Sequence, residues 1–311
     1  MIDVSVIIVN YNSFHLLDEC LDSLFLFNKE IQLDVIVVDN NSTEGDVESI
    51  TSKYSAVSLI KNDKNIGFAA ANNLALKIVK GKYTLFLNND TVFKNNIIEK
   101  VFAFAEAMKQ PVFAGCQLLN ADITKQESVV DFPSLWNTIT ENFFLYKVFK
   151  RSKLFNKYYQ NYNDYHDAIE ADVIRGAFMF CPTKQILELN GFDDRFFFYS
   201  EETDLCYRFK KSGGKIFFLP DIKLIHYGGE TTDRNLWFKY KNQTTGKIQF
   251  YQKHFKGFKF LSVIIVHFIG LLLRGVLFTI AGLLTLNMNR IIKGYYFFRQ
   301  LFVYPKNKFS R

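Results

Sequence analysis

Residues 4–13 read VSVIIVNYNS, an apolar run that ends abruptly in Asn-Tyr-Asn-Ser. Such a run is typical of a strand that is buried on both faces. Three further apolar runs follow, separated by helical patterns, at 34–38, 57–60 and 83–87. Ser13 is a candidate N-cap for the first helix, and Gly81 is a candidate C′ residue for a helix predicted at 68–80. Strands that alternate with helices predict a parallel sheet covered on both faces, and therefore an α/β fold.

Polar residues follow each apolar run, where the carboxyl ends of parallel strands meet. They are Asn10–Asn12, Asp39–Ser42, Asn62–Asn65 and Asn88–Asp90. Open α/β sheets bind their ligands at this edge. Asp and Asn side chains suit the base and the ribose hydroxyl groups of a nucleotide, and Asp90 suits a divalent cation that bridges phosphates. We therefore expect the ligand site at this edge.

Composition and missing motifs exclude several other classes of protein. Of the 311 residues, 49% are apolar and 22% are charged, which rules out a disordered chain. Neither GxGxxG after the first strand nor GxxxxGK[ST] occurs, so a dinucleotide-dependent dehydrogenase and a P-loop NTPase are not indicated. The four cysteines are far apart and predict isolated buried thiols rather than disulfides or a zinc site. The first residues lack the basic start of a signal peptide, and we expect a strand made in the cytoplasm.

The charge is divided unevenly along the chain. Residues 1–236 carry a net charge of −6 and residues 237–311 carry +13, because Asp233 is the last acidic residue. A basic tail of this kind predicts contact with a polyanion. Phe260–Leu286 is almost entirely apolar, which a nucleic-acid-binding arm would not need. We therefore expect a membrane surface as the partner, and no nucleic acid.

Three interpretations of Phe260–Leu286 stay open. The segment is long enough to span a bilayer, alone or as a hairpin, although Arg274 near its centre would cost about 2.5–3.5 kcal/mol there. His267 and Arg274 share one helical face, which favours a helix, or a pair broken near Gly270 or Gly282, lying in the membrane interface. The third interpretation is a buried or dimerising helix, and a homodimer is therefore among the predicted assemblies.

Several segments together resemble glycosyltransferase family 2. They are VSVIIVNYNS, VVDNNS, NIGFAAANN, LFLNNDT and the stretch from RGAFMFCP to LIHYGG. More narrowly, they are similar to the rhamnosyltransferase-like branch that builds O-antigen, capsule and other bacterial polysaccharides. The resemblance covers residues 3–255. It implies a GT-A fold (a Rossmann-like, mostly parallel central sheet flanked by helices), a nucleotide-sugar donor, a Mn²⁺ or Mg²⁺ ion and inverting transfer.

The resemblance also predicts the organisation of the chain. Residues 1–255 are expected to form the GT-A domain, with a nucleotide-binding half at about 1–115 and an acceptor and catalytic half at 116–255. Residues 256–311 are expected to form a basic, apolar, helical tail that associates with the membrane. The aromatic-rich region 120–170 lies where the family shapes its acceptor pocket, although ordinary packing explains most of these aromatics equally well. Within it, Tyr158–Tyr165 is predicted to be a loop.

The nucleotide site is assigned through the same resemblance. Tyr11 stands where the family has a residue against the base, and Asp39 where it has a carboxylate that binds the pyrimidine N3–H or the ribose. An Asx turn or a helix cap would explain Asp39 as well. The KNIG stretch borders the nucleotide in the family. The predicted nucleotide-binding residues are Tyr11, Asn12, Asp39, Lys64, Asn65, Gly67 and Asn89.

The metal site is expected at Asn88-Asn89-Asp90, which occupies the place of the family's Asp-x-Asp motif. Only the last acid is present, so Asp90 is the predicted ligand, with Asn88 as an indirect or carbonyl ligand. His226, in LIHYGG, matches a family histidine that approaches the metal or the diphosphate, although a lone histidine is often structural. A hard cation here would neutralise the diphosphate leaving group.

The catalytic base is expected in Ser200–Asp204, where the family has a Glu-Asp pair. Inverting transfer needs a base for the attacking hydroxyl group. Glu202 aligns with the family's base, which is usually Asp, and Glu201 is the alternative. All these acids could instead favour the positive end of a helix dipole. The residues predicted next to the donor and acceptor sugars are Arg175, which could equally form a plain ion pair, Gly176 and Asp204.

These assignments predict a cytoplasmic enzyme attached, peripherally or monotopically, to the inner face of the plasma membrane. It is expected to move L-rhamnose from dTDP-rhamnose, or a hexose from a UDP-sugar, to a saccharide on a lipid carrier. A non-catalytic scaffold subunit is the alternative of a different class, because the metal motif holds a single acid. A nucleotidyltransferase is disfavoured, because no Gly-rich triphosphate loop follows the first strand.

Overall fold

The computed structural model describes residues 2–160, 164–228 and 235–304. Gly229 and part of the predicted loop at 158–165 lie outside the described residues. The chain divides into two compact units. The first unit comprises Met1–Val130, Asp164–Phe197 and Glu201–Thr231, and the second comprises Asp131–Asn163, Phe198–Ser200 and Thr232–Arg311.

The described ranges contain the following elements. The strands are β1 (Val4–Asn10), β2 (Leu33–Asp39), β3 (Val57–Lys61), β4 (Tyr83–Asn88), β5 (Thr91–Val92), β6 (Val112–Leu119), β7 (Val129–Val130), β8 (Ile169–Glu170), β9 (Val173–Ile174), β10 (Phe178–Pro182) and β11 (Lys215–His226). The helices are α1 (Phe14–Phe27), α2 (Val47–Thr51), α3 (Phe68–Leu76), α4 (Ile97–Ala107), α5 (Leu135–Asn142), α6 (Leu145–Val148), α7 (Thr183–Glu188), α8 (Glu201–Lys211), α9 (Leu236–His254), α10 (Gly257–Leu284) and α11 (Met288–Gln300).

A mixed central sheet organises the first unit. Its strands lie in the order β3-β2-β1-β4-β10-β6-β11-β5, and β8 pairs with β11. β1 runs parallel to β2 and β4, and β2 runs parallel to β3, as the apolar runs predict. β10 enters between β4 and β6 in the antiparallel direction. Both faces of β1 are buried, because Val6, Ile7 and Ile8 are inaccessible to solvent. The predicted α/β fold with a helix-flanked central sheet is confirmed, and the sheet is mixed because β10, β5 and β8 pair in the antiparallel direction.

Of two local predictions about helix ends, one is confirmed in position and the other is wrong. Ser13 occupies the N-cap position of α1, as predicted, but its side chain makes no cap hydrogen bond, and its hydroxyl group donates to the Tyr11 carbonyl (3.2 Å). The helix predicted at 68–80 already ends at Leu76. Gly81 is not its C′ residue but packs against β1, where a Cβ atom would lie 2.3 Å from the Ser5 nitrogen. Cys20, Cys116, Cys181 and Cys206 are buried free thiols, as predicted.

The second unit is helical. α10 is one unbroken helix across Gly270, so the predicted break at this glycine does not occur. It packs against α5 and, as a hairpin, against α11. Gly270 permits close approach to α5, because a Cβ atom there would lie 2.2 Å from the Asn142 side chain. By length and composition α10 could also cross a membrane.

Candidate active site

The carboxylate of Asp39 closes a polar turn at the end of β2. It is buried and accepts hydrogen bonds from Ser42 Oγ (2.6 Å), the Ser42 N–H group (3.1 Å) and Asn10 Nδ2 (3.2 Å). The bond to the Ser42 N–H group, three residues on, is a local side-chain-to-backbone contact related to the Asx turn that the sequence left open as an alternative. A carboxylate can accept about four hydrogen bonds, so Asp39 retains capacity for a ligand N–H or hydroxyl group. The turn orients the Asp39 carboxylate and leaves part of its hydrogen-bonding capacity available.

Tyr11 and Asn12 lie just beyond β1. The Tyr11 side chain is exposed, so its ring is accessible to a stacking partner. Asn12 has a positive φ of 48°. Its side-chain oxygen accepts a hydrogen bond from the Thr43 N–H group (2.8 Å), and its own N–H group donates to Ser42 Oγ (2.9 Å). Asn12 therefore joins the turns that follow β1 and β2.

Asn40 organises the loop that leads from β3 to α3. It is buried, accepts hydrogen bonds from Asn62 Nδ2 (3.0 Å) and the Ile66 N–H group (3.1 Å), and donates to Asn65 Oδ1 (3.0 Å). The sequence reasoning assigned no role to Asn40, although its position after a buried strand was the available signal. Lys64 is exposed on the same loop.

Gly67 begins α3 in a conformation that favours glycine. Its φ is +88°, and a Cβ atom would lie 2.5 Å from the Phe197 carbonyl oxygen. That oxygen accepts a hydrogen bond from the Phe68 N–H group (2.9 Å). The positive φ and the close approach together explain a glycine at the end of KNIG.

Strand pairing brings the metal motif to His226. Antiparallel pairing of β11 with β5 sets His226 opposite Thr91, directly after Asp90. His226 Nε2 lies 3.3 Å from Asp90 Oδ1 and 3.3 Å from Asn88 Nδ2. Asn89 Nδ2 donates to Asn10 Oδ1 (2.7 Å), which ties the motif to the end of β1.

Gln126 determines which nitrogen of His226 carries a proton. Its side-chain nitrogen faces two acceptors, Asn120 Oδ1 (2.7 Å) and the backbone carbonyl of His226 (2.5 Å). The backbone carbonyl can only accept, so the Gln126 oxygen must point at His226 Nδ1, 2.8 Å away. In the neutral imidazole Nδ1 then donates, and the Nε2 lone pair faces Asp90 Oδ1 and Asn88 Nδ2. Sequence reasoning missed Gln126, because it is 100 residues from His226.

Asp90 and His226 fit a divalent cation. Asp90 Oδ2 accepts from the Gly228 N–H group (3.1 Å), whereas the buried Oδ1 has no hydrogen-bond partner among the described residues. This orphaned oxygen and the Nε2 lone pair face each other, an arrangement that a cation would relieve. Within the described ranges no group of three His, Cys, Asp or Glu side chains converges. An ion held by Asp90 and His226 would complete its coordination with phosphate oxygens and water.

The segment Arg175–Ala177 lies next to both the metal motif and the two glutamates. The Asn88 N–H group donates to the Ala177 carbonyl (3.0 Å). A Cβ atom on Gly176 would lie 3.6 Å from Glu202 Cβ. The end of β4 and the start of α8 are therefore neighbours at one edge of the sheet.

The two glutamates at the start of α8 have different surroundings. Glu201 is buried, and its Oε2 has no hydrogen-bond partner among the described residues. Burial, reinforced by the charge of Glu202, raises the pKa of Glu201 well above its usual range. Glu202 Oε1 instead lies 4.0 Å from Arg175 Nη1. This shift favours the neutral form of Glu201 over the carboxylate that a general base requires.

Arg175 and Asp204 both form ion pairs with protein side chains. Arg175 Nη2 contacts the Glu127 carboxylate, and Nη1 faces Glu202. Asp204 is fully buried and binds Arg208 Nε (2.7 Å). Arg208 also donates to the carbonyl groups of Leu189 and Gly191 (2.8 and 2.7 Å). The described contacts give Asp204 a structural role, and its predicted contact with a sugar stays a prediction.

Two solved structures share this architecture. One is the mannosyltransferase PcManGT from Pyrobaculum calidifontis in complex with GDP-Man and Mn²⁺, with a TM-score of 0.56 and 14% identity, over 96% of this chain and 87% of that one. The other is GalNAc-T7 with UDP, GalNAc and Mn²⁺, with a TM-score of 0.57 and 14% identity, over 73% of this chain and 44% of that one. At these identities the likeness shows the fold, which is that of the GT-A glycosyltransferases.

The sequence comparisons identify the family within that class. The model of Glycosyl transferase family 2 matches residues 5–176, and the chain belongs to this family. It is 26% identical over 232 residues to Rhamnosyltransferase WbbL of Escherichia coli (strain K12), which covers 72% of this chain and 83% of that protein. It is 34% identical over 113 residues to UDP-Glc:alpha-D-GlcNAc-diphosphoundecaprenol beta-1,3-glucosyltransferase WfaP of Escherichia coli, over 34% of this chain and 42% of that protein. The chain is thus an inverting glycosyltransferase of bacterial polysaccharide synthesis.

Proposed function

We propose that this enzyme transfers L-rhamnose from dTDP-rhamnose to a saccharide carried on a membrane lipid, at the cytoplasmic face of the membrane. The similarity to a rhamnosyltransferase over 72% of the chain supports this donor. A UDP-hexose is the alternative donor, supported by the shorter similarity to WfaP, whose name specifies UDP-Glc and a diphosphoundecaprenol-linked acceptor. The observation that carries the proposal is the orphaned Asp90 Oδ1 beside His226 Nε2, at the sheet edge that also holds Glu202.

The chemistry follows from these positions. Tyr11 and Asp39 would hold the base and the ribose, and the loop that contains Lys64, Asn65 and Gly67 would close against the nucleotide. Glu202 would take the proton of the acceptor hydroxyl group as that oxygen attacks the anomeric carbon and the nucleoside diphosphate leaves from the opposite side, which inverts the configuration. A divalent cation held by Asp90 and His226, with Asn88 beside it, would neutralise the leaving diphosphate when bound.

The donor assignment is tested with purified full-length protein. Thermal stabilisation is measured with dTDP-rhamnose, UDP-glucose and GDP-mannose, with and without Mn²⁺, and release of the nucleoside diphosphate is followed in parallel. We expect the largest Mn²⁺-dependent stabilisation with dTDP-rhamnose, and we expect Asp90→Asn to remove its Mn²⁺ dependence. Stabilisation by UDP-glucose alone would select the alternative donor. An absence of stabilisation by every donor would contradict the proposed site.

We also propose that residues 256–311 form a tail that keeps the enzyme at the membrane surface. A lipid-linked acceptor does not leave the bilayer, so attachment raises the rate of encounter with it. The net charge of +13 over residues 237–311 supports attraction to anionic headgroups.

A further inference from the structure

The two sides of α10 differ in their surroundings. One side packs within the second unit and holds Val263, His267, Gly270, Leu271, Gly275 and Gly282. The opposite side exposes apolar residues at intervals of three or four, each between 40% and 60% accessible: Leu261, Ile265, Ile269, Leu272, Val276, Ile280 and Leu283. At 100° per residue these two sets lie about half a turn apart. We call the second set the exposed α10 face.

The packed side of α10 contacts a partly buried cluster of charged side chains from α5 and α9. Arg274 Nη2 donates to the Glu141 carbonyl (2.6 Å), and Lys247 Nζ binds both carboxylate oxygens of Glu141 (2.6 and 2.7 Å). Burial opposes the ionisation of Glu141, but the charges of Lys247 and Arg274 outweigh it and lower the pKa of Glu141 to about 2. His267 is buried in the same cluster. The cluster joins α5, α9 and α10.

This cluster is incompatible with a helix that crosses a bilayer alone. To surround α10 with lipid, Arg274 and His267 would have to leave the second unit and enter hydrocarbon. The Glu141 carbonyl would lose the hydrogen bond from Arg274, and the guanidinium charge would have to enter the membrane core, which is costly. The packed side therefore remains on the protein, and the exposed α10 face is the side available to another surface.

Charge identifies the partner of that face. Residues 237–311 contain 13 Lys and Arg and no Asp or Glu. Exposed cations occur at the start of α10, at Lys256 and Lys259, and on α11, at Arg290 and Arg299. An apolar helical face flanked by cations matches a bilayer surface that contains anionic lipid. Deepening the membrane attachment proposed above, we propose that the exposed α10 face lies in the plane of an anionic membrane surface and that α10 does not cross the bilayer.

Vesicle binding tests the surface. Full-length protein is floated with vesicles of phosphatidylcholine alone or with 30% phosphatidylglycerol. Ile269→Glu puts a charge in the centre of the face, and Ile78→Glu is the matched control, because Ile78 is equally exposed (46% against 48%) in the first unit. We expect at least tenfold weaker vesicle binding for Ile269→Glu, no change for Ile78→Glu, and at least tenfold tighter binding with phosphatidylglycerol. Equal binding of both variants would overturn the proposal, as would a dimer in solution that Ile269→Glu dissociates and that binds no vesicles.

Depth measurements separate the lying helix from a spanning one. Leu261→Cys, Leu272→Cys and Leu283→Cys are labelled one at a time with an environment-sensitive fluorophore, which is selective because the four native cysteines are buried. A lying helix gives the same depth at all three positions, measured with lipids that carry quenchers at known depths. A shallow, deep, shallow series would overturn the proposal. Donor-dependent thermal stabilisation in solution reports the sugar-nucleotide site independently, so failure of membrane binding and failure of the proposed function are distinguishable.

Discussion

Replacing Glu201 and Glu202 by glutamine, one at a time, tests which of the two is the catalytic base. Burial and the neighbouring carboxylate raise the pKa of Glu201 and favour its neutral form. Glu201→Gln replaces that form by a neutral group of the same shape. Glu202 lies beside Arg175 and Gly176. Glu202→Gln replaces its carboxylate by an amide, which cannot take a proton from a substrate. The two substitutions should consequently have very different effects on kcat.

The expected losses of kcat follow from the contribution of a general base to proton transfer. A positioned general base contributes about 10²–10⁴ in rate, or about 3–5 kcal/mol in the activation barrier. Glu202→Gln should lower kcat by that factor with little change in the Kd of the donor. Glu201→Gln should lower kcat by less than about tenfold, although two new buried N–H donors cost about 1–3 kcal/mol of stability if they stay unpaired.

The assay is release of the nucleoside diphosphate in the presence of acceptor, with the donor Kd measured separately. Glu202→Asp is the conservative control, because the family usually has Asp here, and it should retain more activity than Glu202→Gln. Glu202 is not the base if Glu201→Gln loses as much kcat as Glu202→Gln, or if Glu202→Gln keeps more than half of the wild-type rate.

Three further predictions concern the metal site, a loop and pH. Gln126→Leu removes the acceptor for His226 Nδ1 and should weaken Mn²⁺ binding in the presence of nucleotide about 10–100-fold, measured by electron paramagnetic resonance. Gly67→Ala should lower the free energy of unfolding more than Gly213→Ala does. Both glycines have a positive φ, which costs an alanine about 1–2 kcal/mol. Only at Gly67 does a backbone oxygen lie 2.5 Å from the new Cβ atom, whereas nothing lies within 4 Å at Gly213. Burial, with the nearby cations, lowers the pKa of His267 from 6.5 to about 3. Below pH 6.5 the unfolded chain therefore binds a proton at His267 that the folded chain does not bind. The free energy of unfolding should be constant above pH 6.5 and fall by about 1.4 kcal/mol per pH unit below it. Urea unfolding at pH 7 and pH 5 should show this loss, and the loss should be smaller in His267→Gln.

Local sequence pattern was sufficient to predict the first four strands of the sheet, β1 to β4. The four apolar runs from Val4 to Leu87 form parallel strands. The signal is local, because a buried strand is an apolar run bounded by turn residues. The polar residues that follow these runs met at one edge for the same reason. Helix ends were less predictable: Gly81 resembles a helix terminator, yet its lack of a side chain serves contact with β1, more than seventy residues earlier in the chain.

Contacts between segments that are distant in sequence were not predictable and are shown only by the tertiary structure. Gln126 and His226 are 100 residues apart, and Glu141 and Arg274 are 133 residues apart. Apolar periodicity predicts the helix α10 but not which of its sides packs, because that depends on contacts with other helices, such as the bond from Arg274 to the Glu141 carbonyl on α5. Regular structure follows from interactions within a few residues, whereas partners across the fold are selected by the combined packing of every element.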